Sequence, residues 1–221
     1  MLFRSNTSGM KAIPERIFRL EQRGLDFPVV QPFQEVLDIN RLSVPAEFNS
    51  GAIGLVPDLN ALAEIQKDKP ARLSLVIPGV DGGDIIVLLH RANIMSSTGE
   101  IRISSGEVIT DIPGVFYRGI VKGDYESLVA ISCFDDHIRG FISMNNRNYV
   151  LGPLKNSIVR QAHILYDDRV IQHLNPFECQ MEDILPEPEF DPTKRGQRAP
   201  GDCLRIWWEV DHNIWQNFGN T

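Results

Sequence analysis

Apolar and polar residues alternate along the middle of the chain in short runs that turn-forming residues separate. Arg72–Ile77 and Asp84–His90 are two such runs, and the glycine-rich segment Pro78–Gly83 lies between them. Alternation with a period of two is typical of β-strands that bury one face. The same pattern predicts further strands at Ile101–Ser104, Val115–Val121, Leu128–Cys133, Ile138–Ser143, Arg147–Leu151 and His163–Tyr166.

The segments between the predicted strands are short and rich in turn formers. They include Lys122–Asp124, Phe134–His137 and Met144–Arg147. This spacing, without long helical segments in between, favours antiparallel hairpins folded into a β-sandwich or a barrel. We therefore expect the fold class to be mainly β, with one antiparallel β-sandwich or barrel-like domain over residues 27–170.

One segment of this domain has the periodicity of a helix. In Asp58–Gln66 the residues Leu59, Leu62 and Ile65 share one helical face, and the first residue is a suitable N-cap. No other segment is a comparable helix candidate, so we expect a single helix. Residues 1–26 are interpreted as an N-terminal arm.

The two ends of the chain bear on targeting and on completeness. Residues 1–26 contain basic residues but no apolar central region, so no signal peptide is predicted. The longest apolar run, Ile85–Leu89, is too short to cross a bilayer, so we expect no membrane segment. The aromatic stretch Ile206–Phe218 has only Gly219–Thr221 after it, which cannot cover its apolar face. We therefore expect the chain to be a piece of a longer protein.

Charge and proline content change at about His173. Val170–Thr193 has no lysine or arginine, whereas acidic residues and prolines accumulate there. Because like charges repel and prolines remove hydrogen-bond donors, residues 171–200 are predicted to form an extended acidic linker, and residues 201–221 to begin a second domain. The net charge of the whole chain is -7, which argues against a nucleic-acid partner.

A basic cluster closes this linker. It consists of Lys194, Arg195 and Arg198. The cluster is either a site of proteolytic processing or an ordinary solvated loop, and the residues alone favour the two interpretations equally.

No catalytic constellation is complete in the sequence. The histidines never have the spacing of a helical zinc motif, and H-E-x-x-H is absent. Asp135–His137 contains the residue types of an acid/base cluster, but its position between two predicted strands favours a solvated hairpin turn. Asp211–His212 is interpreted as the polar end of a buried strand. The tryptophans are interpreted as core residues rather than as a stacking platform for sugars or bases; they are Trp207, Trp208 and Trp215.

The cysteines provide the one candidate metal ligand. The chain has Cys133, Cys179 and Cys203, an odd number, so at least one thiol stays outside any internal disulfide. Cys179 lies in the predicted linker, where no core surrounds it and an extended arm can deliver it to a metal. A thiolate is a good ligand for Zn²⁺. The alternative is a disulfide from Cys179 to Cys203 or Cys133, or an exposed free thiol.

Several segments occur in an order that matches a known family. They are Phe116–Cys133, Ile138–Ile142, Tyr149–Leu154 and Ala162–Tyr166. The first contains a Tyr-x-Gly strand, a Gly-Asp turn and a Ser-Leu-Val-Ala-Ile-Ser strand. This ordered set resembles the propeptide of reprolysin/adamalysin-type zinc metalloproteases, which are metzincins. Leu204–Gly219 resembles the first strand and the following helix start of their catalytic domain. Together the resemblance covers roughly Leu73–Thr221.

The resemblance implies an N-terminal fragment of a secreted zinc metalloendopeptidase zymogen, whose prodomain keeps the protease latent and assists its folding. Cys179 corresponds to the cysteine switch of the family, the inhibitory zinc ligand, although Gln180 follows it where the family has glycine. The other zinc ligands would lie beyond Thr221, so we expect this chain to be inactive and to bind no zinc by itself. The implied partners are its own catalytic domain and the protein or peptide substrates of the parent.

A β-sandwich binding or adhesion module without protease activity is the alternative. The reading frame after Thr221 distinguishes the two hypotheses. H-E-x-x-H-x-x-G-x-x-H in that frame would indicate the protease, whereas a stop codon or further β modules would indicate the binding module.

Overall fold

The computed structural model describes residues 11–42, 44, 46, 48, 51–94, 101–102, 108–109, 113–154, 159 and 161–171. The chain divides into two compact units, Met1–Pro176 and Phe177–Thr221, and all described residues belong to the first. Its helices are α1 (Ala12–Gln22) and α2 (Leu59–Asp68), and short 3₁₀ turns are formed by Ile39–Arg41 and Asp168–Ile171.

The described part of the chain is mainly β. Its strands are β1 (Val29–Val30), β2 (Phe33–Leu37), β3 (Ala52–Pro57), β4 (Arg72–Pro78), β5 (Asp84–Arg91), β6 (Ile101–Arg102), β7 (Val108–Ile109), β8 (Val115–Val121), β9 (Asp124–Cys133), β10 (Ile138–Met144), β11 (Arg147–Pro153) and β12 (His163–Asp167). Ten of them form one strongly curled, half-barrel-like sheet in the order β1-β4-β5-β8-β9-β10-β11-β12-β3-β2. β6 and β7 pair separately. The predicted mainly-β, barrel-like fold class is confirmed.

The curled sheet turns back on itself because its first two strands lie at opposite edges. β1 pairs with β4 at one edge, and β2 pairs with β3 at the other. Only Gln31 and Pro32 connect β1 to β2, and a connection of this length spans no more than about 11 Å. The two edges must therefore come close together. The Asp58 N–H donates to the Pro32 carbonyl at 2.9 Å and ties this junction to the start of α2.

One strand pair departs from the predicted antiparallel arrangement. β1 and β4 are parallel, with Val29 opposite Ser74. Every other described pair is antiparallel. The expectation of a purely antiparallel sheet is therefore wrong at this edge. A strand of two residues has no alternation from which its direction could be predicted.

The inner face of the curled sheet forms the main core. Alternate residues of the long strands point inward, and Leu73, Leu75 and Ile77 of β4 are fully buried there. Tyr117 of β8 and Ile131 of β9 join the same cluster. The apolar positions predicted from the alternation are thus the ones that the sheet buries.

α2 packs against this core and confirms the predicted helix. Leu62 and Ile65 lie in the main cluster. Asp58 caps the helix, because its Oδ1 accepts from the N–H groups of Asn60 and Ala61 at 2.9 and 3.2 Å. In the part of the chain that the structure describes, neither α1 nor α2 is long and apolar enough to span a bilayer.

α1 lies on the outer face of the sheet. Ile17 is fully buried and packs with Leu88 of β5 and Ile120 of β8. The Tyr125 hydroxyl donates to Glu21 Oε2 at 2.7 Å. We expected a single helix, at Asp58–Gln66. The structure has α1 as well, so that expectation is wrong. Its buried face is narrow and its remaining faces carry charged residues, which hide the helical period in the sequence.

A glycine and a serine fix the strands beneath α1. A Cβ on Gly119 would lie 1.8 Å from the Leu88 carbonyl oxygen, so only glycine fits between β8 and β5. The β8–β9 register shifts between Gly119 and Val121. At this shift Ser127 Oγ accepts from the Val121 N–H at 2.8 Å and donates to the Asp124 carbonyl at 2.5 Å. The irregular pairing therefore leaves these backbone groups satisfied.

Candidate functional site

The residues predicted to bind zinc or to be processed lie outside the described part of the chain. They are Cys179, Lys194, Arg195 and Arg198. The same holds for Cys203, for Asp211–His212 and for the three tryptophans. The predictions for these residues stay predictions. The structure does describe Cys133, the Asp135–His137 cluster and three buried or partly buried histidines.

Cys133 is the last residue of β9 and points into the main core. Its thiol is free and fully buried in the main core. Burial raises the pKa of Cys133 to about 12, so the thiol stays protonated at neutral pH. The thiolate is the form that binds metals and attacks electrophiles. Cys133 is therefore a core residue, and the alternative of a disulfide between it and Cys179 is not observed.

The Asp135–His137 cluster forms the turn between β9 and β10. The Phe134 N–H donates to the His137 carbonyl at 2.8 Å, which closes the turn. His137 Nδ1 lies 2.6 Å from Asp136 Oδ1, and this hydrogen bond lowers the pKa of Asp136. The His137 ring stacks on Phe134 with a centroid distance of 4.4 Å and an interplanar angle of 11°. The interpretation as a hairpin turn is confirmed.

The same turn lines an open groove of about 550 Å³ at one end of the sheet. The end of α2 and the start of β8 contribute the other described residues, namely Gln66, Lys69, Pro113 and Gly114. The Gln66 side-chain amide donates to the Cys133 carbonyl and so ties α2 to the turn. The groove carries an imidazole–carboxylate pair beside one lysine. Among its described lining residues there is no hydroxyl or thiol that the imidazole could activate.

His163 is a structural histidine of the inner face. The ring is fully buried, its Nε2 accepts from the Ile138 N–H at 3.1 Å, and its Nδ1 lies 2.8 Å from the Gln161 carbonyl. These partners fix the neutral tautomer with the proton on Nδ1. Burial lowers the pKa of His163. The residue therefore links β12 to β10 as an uncharged side chain.

His90 is buried on the opposite face of the sheet and is less completely bonded. Its Nδ1 lies 3.2 Å from the Arg91 carbonyl, while its buried Nε2 has no hydrogen-bond partner within the described ranges. Burial is the main cause that lowers the pKa of His90, and the charges of Arg16 and Arg118 act in the same direction. The sequence pattern does not single out this residue. The only feature of the sequence that could have indicated its burial is its position directly after the apolar run of β5.

The residues that carry the family resemblance in β8 and β9 have structural roles. The Tyr117 hydroxyl donates to the Pro70 carbonyl at 3.1 Å. Gly119 allows β8 to approach β5 closely, and Gly123 has a φ of 83° in the turn between β8 and β9. Asp124 Oδ1 accepts from the Glu126 N–H at 3.0 Å. The motif therefore specifies a strand, a tight turn and a second strand.

Two comparisons with known proteins give no match. No protein-family model matches the chain, and no curated protein matches it. Within the described ranges, no group of three or more His, Cys, Asp or Glu side chains is arranged to hold a metal ion. Function must therefore be inferred from the residues and from the fold.

Proposed function

We propose that this chain is the N-terminal part of a secreted zinc metalloendopeptidase zymogen. Residues 27–170 would be the prodomain, residues 171–200 the linker, and residues 201–221 the start of the catalytic domain. One observation carries the proposal. The propeptide-like segments between Phe116 and Tyr166 form β8 to β12, five strands adjacent in one sheet. The ordered motifs thus belong to a single folded unit, as a prodomain requires.

Cys179 would keep the protease latent. The core position of Cys133 supports this assignment, because a buried thiol with a pKa of about 12 has no route to a metal outside the domain. In the full-length protein, residues beyond Thr221 and the Cys179 thiolate would hold the zinc. Zinc activates a bound water for attack on a peptide carbonyl, and the thiolate would occupy the position of that water. Cleavage near Lys194, Arg195 and Arg198 would release the prodomain.

Latency of the uncleaved full-length protein tests this function. The variant Cys179→Ser is compared with wild type and with Cys133→Ala, and hydrolysis of a peptide substrate is measured with and without a chelator. We expect chelator-sensitive activity from Cys179→Ser without loss of the prodomain, and latency from the other two proteins. Alanine suits the control because a buried cysteine packs as a small apolar residue. Equal latency of Cys179→Ser and wild type would remove the switch from the proposal.

A second candidate, a binding or adhesion module, is favoured by the outer face of β9 and β10. Leu128 is 42% exposed and Phe141 36% exposed. Phe141 lies opposite Ala130, two residues from Leu128, so the two large side chains are diagonal neighbours on one face. Exposed apolar neighbours of this kind are typical of contact surfaces. If Phe141→Ser left a latent zymogen latent but abolished self-association or adhesion, this second function would gain support.

A further inference from the structure

His90 lies at the contact between the sheet and α1. Side chains alternate along a strand, so His90 shares the outer face of β5 with Leu88. Leu88 packs against Ile17 of α1. Arg118 of β8 is the cross-strand neighbour of His90 on this face. The His90 side chain is only 7% exposed.

The hydrogen bonding of His90 is incomplete at neutral pH. A neutral imidazole has one N–H donor and one nitrogen acceptor. The contact of Nδ1 with the Arg91 carbonyl at 3.2 Å places the proton on Nδ1, which leaves Nε2 as a buried acceptor. No described residue donates to it. Protonation of Nε2 would therefore create a buried N–H and a positive charge, neither of which has a partner there.

Within the described ranges, the charged groups that face His90 are cations. Arg16 faces it from α1 and Arg118 from β8. Arg72, its neighbour on β4, donates its Nε to the Asp26 carbonyl at 3.2 Å. Glu15 is the α1 carboxylate that adjoins Arg16 in sequence, and it forms an ion pair with Arg19. Within the described ranges, no carboxylate is thus placed to compensate a protonated His90.

We propose that His90 is a proton-sensitive contact, which holds α1 on the sheet when neutral and releases the helix when protonated. The contacts that oppose this release include the apolar cluster around Ile17, the edge-to-face contact between the Phe18 and Tyr125 rings, and the hydrogen bond between Tyr125 and Glu21. An isolated helix as short as α1 is marginal in water, so the released segment unfolds.

The direction of the pH dependence follows from the lowered pKa of His90. The unfolded segment titrates near the ordinary value of 6.5, and the docked segment titrates below it. The docked state therefore has its full stability above about pH 6.5 and loses it as the pH falls from there toward the docked-state pKa. At a pH below both pKa values, each unit of difference between them weakens docking about tenfold.

Hydrogen exchange of the full chain at pH 7.5 and 5.5, corrected for intrinsic exchange rates, tests the proposal. In wild type we expect the protection of the α1 amides to fall by up to about tenfold on acidification, relative to the amides of β9 and β10. His90→Leu and His90→Asn cannot gain the proton, so their α1 protection should not change. His137→Asn removes the partly exposed imidazole of the turn between β9 and β10 and should behave as wild type.

A further variant keeps the histidine and changes its surroundings. Arg118→Glu replaces a facing cation with a carboxylate, which can pair with protonated His90. We expect this variant to keep α1 protected at pH 5.5. The proposal is overturned if His90→Leu and His90→Asn respond to acid as wild type does, or if the wild-type α1 loses no more protection than β9 and β10.

Discussion

The inner and outer faces of the curled sheet are stabilised in different ways. On the inner face the long strands contribute apolar side chains, and α2 packs against them. On the outer face α1 is held by a small apolar cluster around Ile17, with His90 and Arg118 beside it. Because burial of apolar surface is the main stabilising contribution, most of the stability should reside on the inner face. The outer helix can then respond to its surroundings while the sheet stays folded.

The two buried histidines show the same contrast. His163 has a partner on each ring nitrogen, whereas Nε2 of His90 has none among the described residues. Burial lowers the pKa of both, so each contributes stability that is complete above about pH 6.5 and decreases as the pH falls. Charging His163 would disrupt the link between β10 and β12. Charging His90 would create a buried N–H without a partner at the contact with α1, so we expect the docking of that helix to respond first.

The largest loss of stability is expected from a substitution at Gly119, where the backbones of β8 and β5 lie close together. A Cβ on Gly119 would meet the Leu88 carbonyl oxygen at 1.8 Å, so Gly119→Ala must separate β5 from β8. We expect the free energy of unfolding to fall by about 3 kcal/mol or more, the upper range for overpacking. Urea denaturation followed by circular dichroism measures it. The matched control is Gly152→Ala in β11, where a Cβ meets nothing within 4 Å and little change is expected. Equal stability of the two variants would disprove the close approach.

Truncating one buried residue on each face tests the contrast directly. Leu62 and Ile17 are both fully buried. Leu62→Ala should lower the global free energy of unfolding by about 2–5 kcal/mol, because it opens a cavity in the main core. Ile17→Ala should mainly expose the α1 amides to exchange and change the global unfolding midpoint much less. If Ile17→Ala shifts that midpoint as far as Leu62→Ala does, α1 belongs to the cooperative core and the contrast is wrong.

A smaller effect is expected at the far end of α1. Tyr125→Phe removes the hydroxyl that donates to Glu21 at 2.7 Å but keeps the ring, whose centroid lies 5.6 Å from that of Phe18. We expect docking of α1 to weaken by about 1 kcal/mol, seen as faster exchange of its amides at both pH values. The pH response should remain, since His90 is intact. A Tyr125→Phe variant without that response would assign it to the Glu21 contact instead.

The regular strands from β4 onward could be predicted from the sequence, whereas β1, β2 and β3 were not predicted. Alternation located β4, β5 and β8 to β12, with bounds that differ from the structure mainly at β9, which begins at Asp124 rather than at Leu128. The parallel pairing of β1 and the return of the chain through Gln31 and Pro32 depend on tertiary packing. α1 was missed because basic residues surround its narrow apolar face.

The candidate sites also divide into those that the sequence predicts and those that depend on tertiary packing. The turn at Asp135–His137 and the core helix capped by Asp58 follow from local residue types, and the structure has both. The unpartnered nitrogen of His90 is a property of a tertiary contact. No pattern along β5 distinguishes His90 from any other histidine at the end of a strand. The assignment of Cys179 depends on the resemblance and on the core position of Cys133.

The proposed zymogen requires zinc ligands that would be encoded beyond Thr221. Sequencing the transcript that encodes this chain past that residue tests it most directly. We predict an open frame that contains H-E-x-x-H-x-x-G-x-x-H within the next couple of hundred codons, the three histidines being the zinc ligands that the chain itself lacks. A stop codon directly after Thr221, or further β modules without that motif, would contradict the zymogen and leave the binding module.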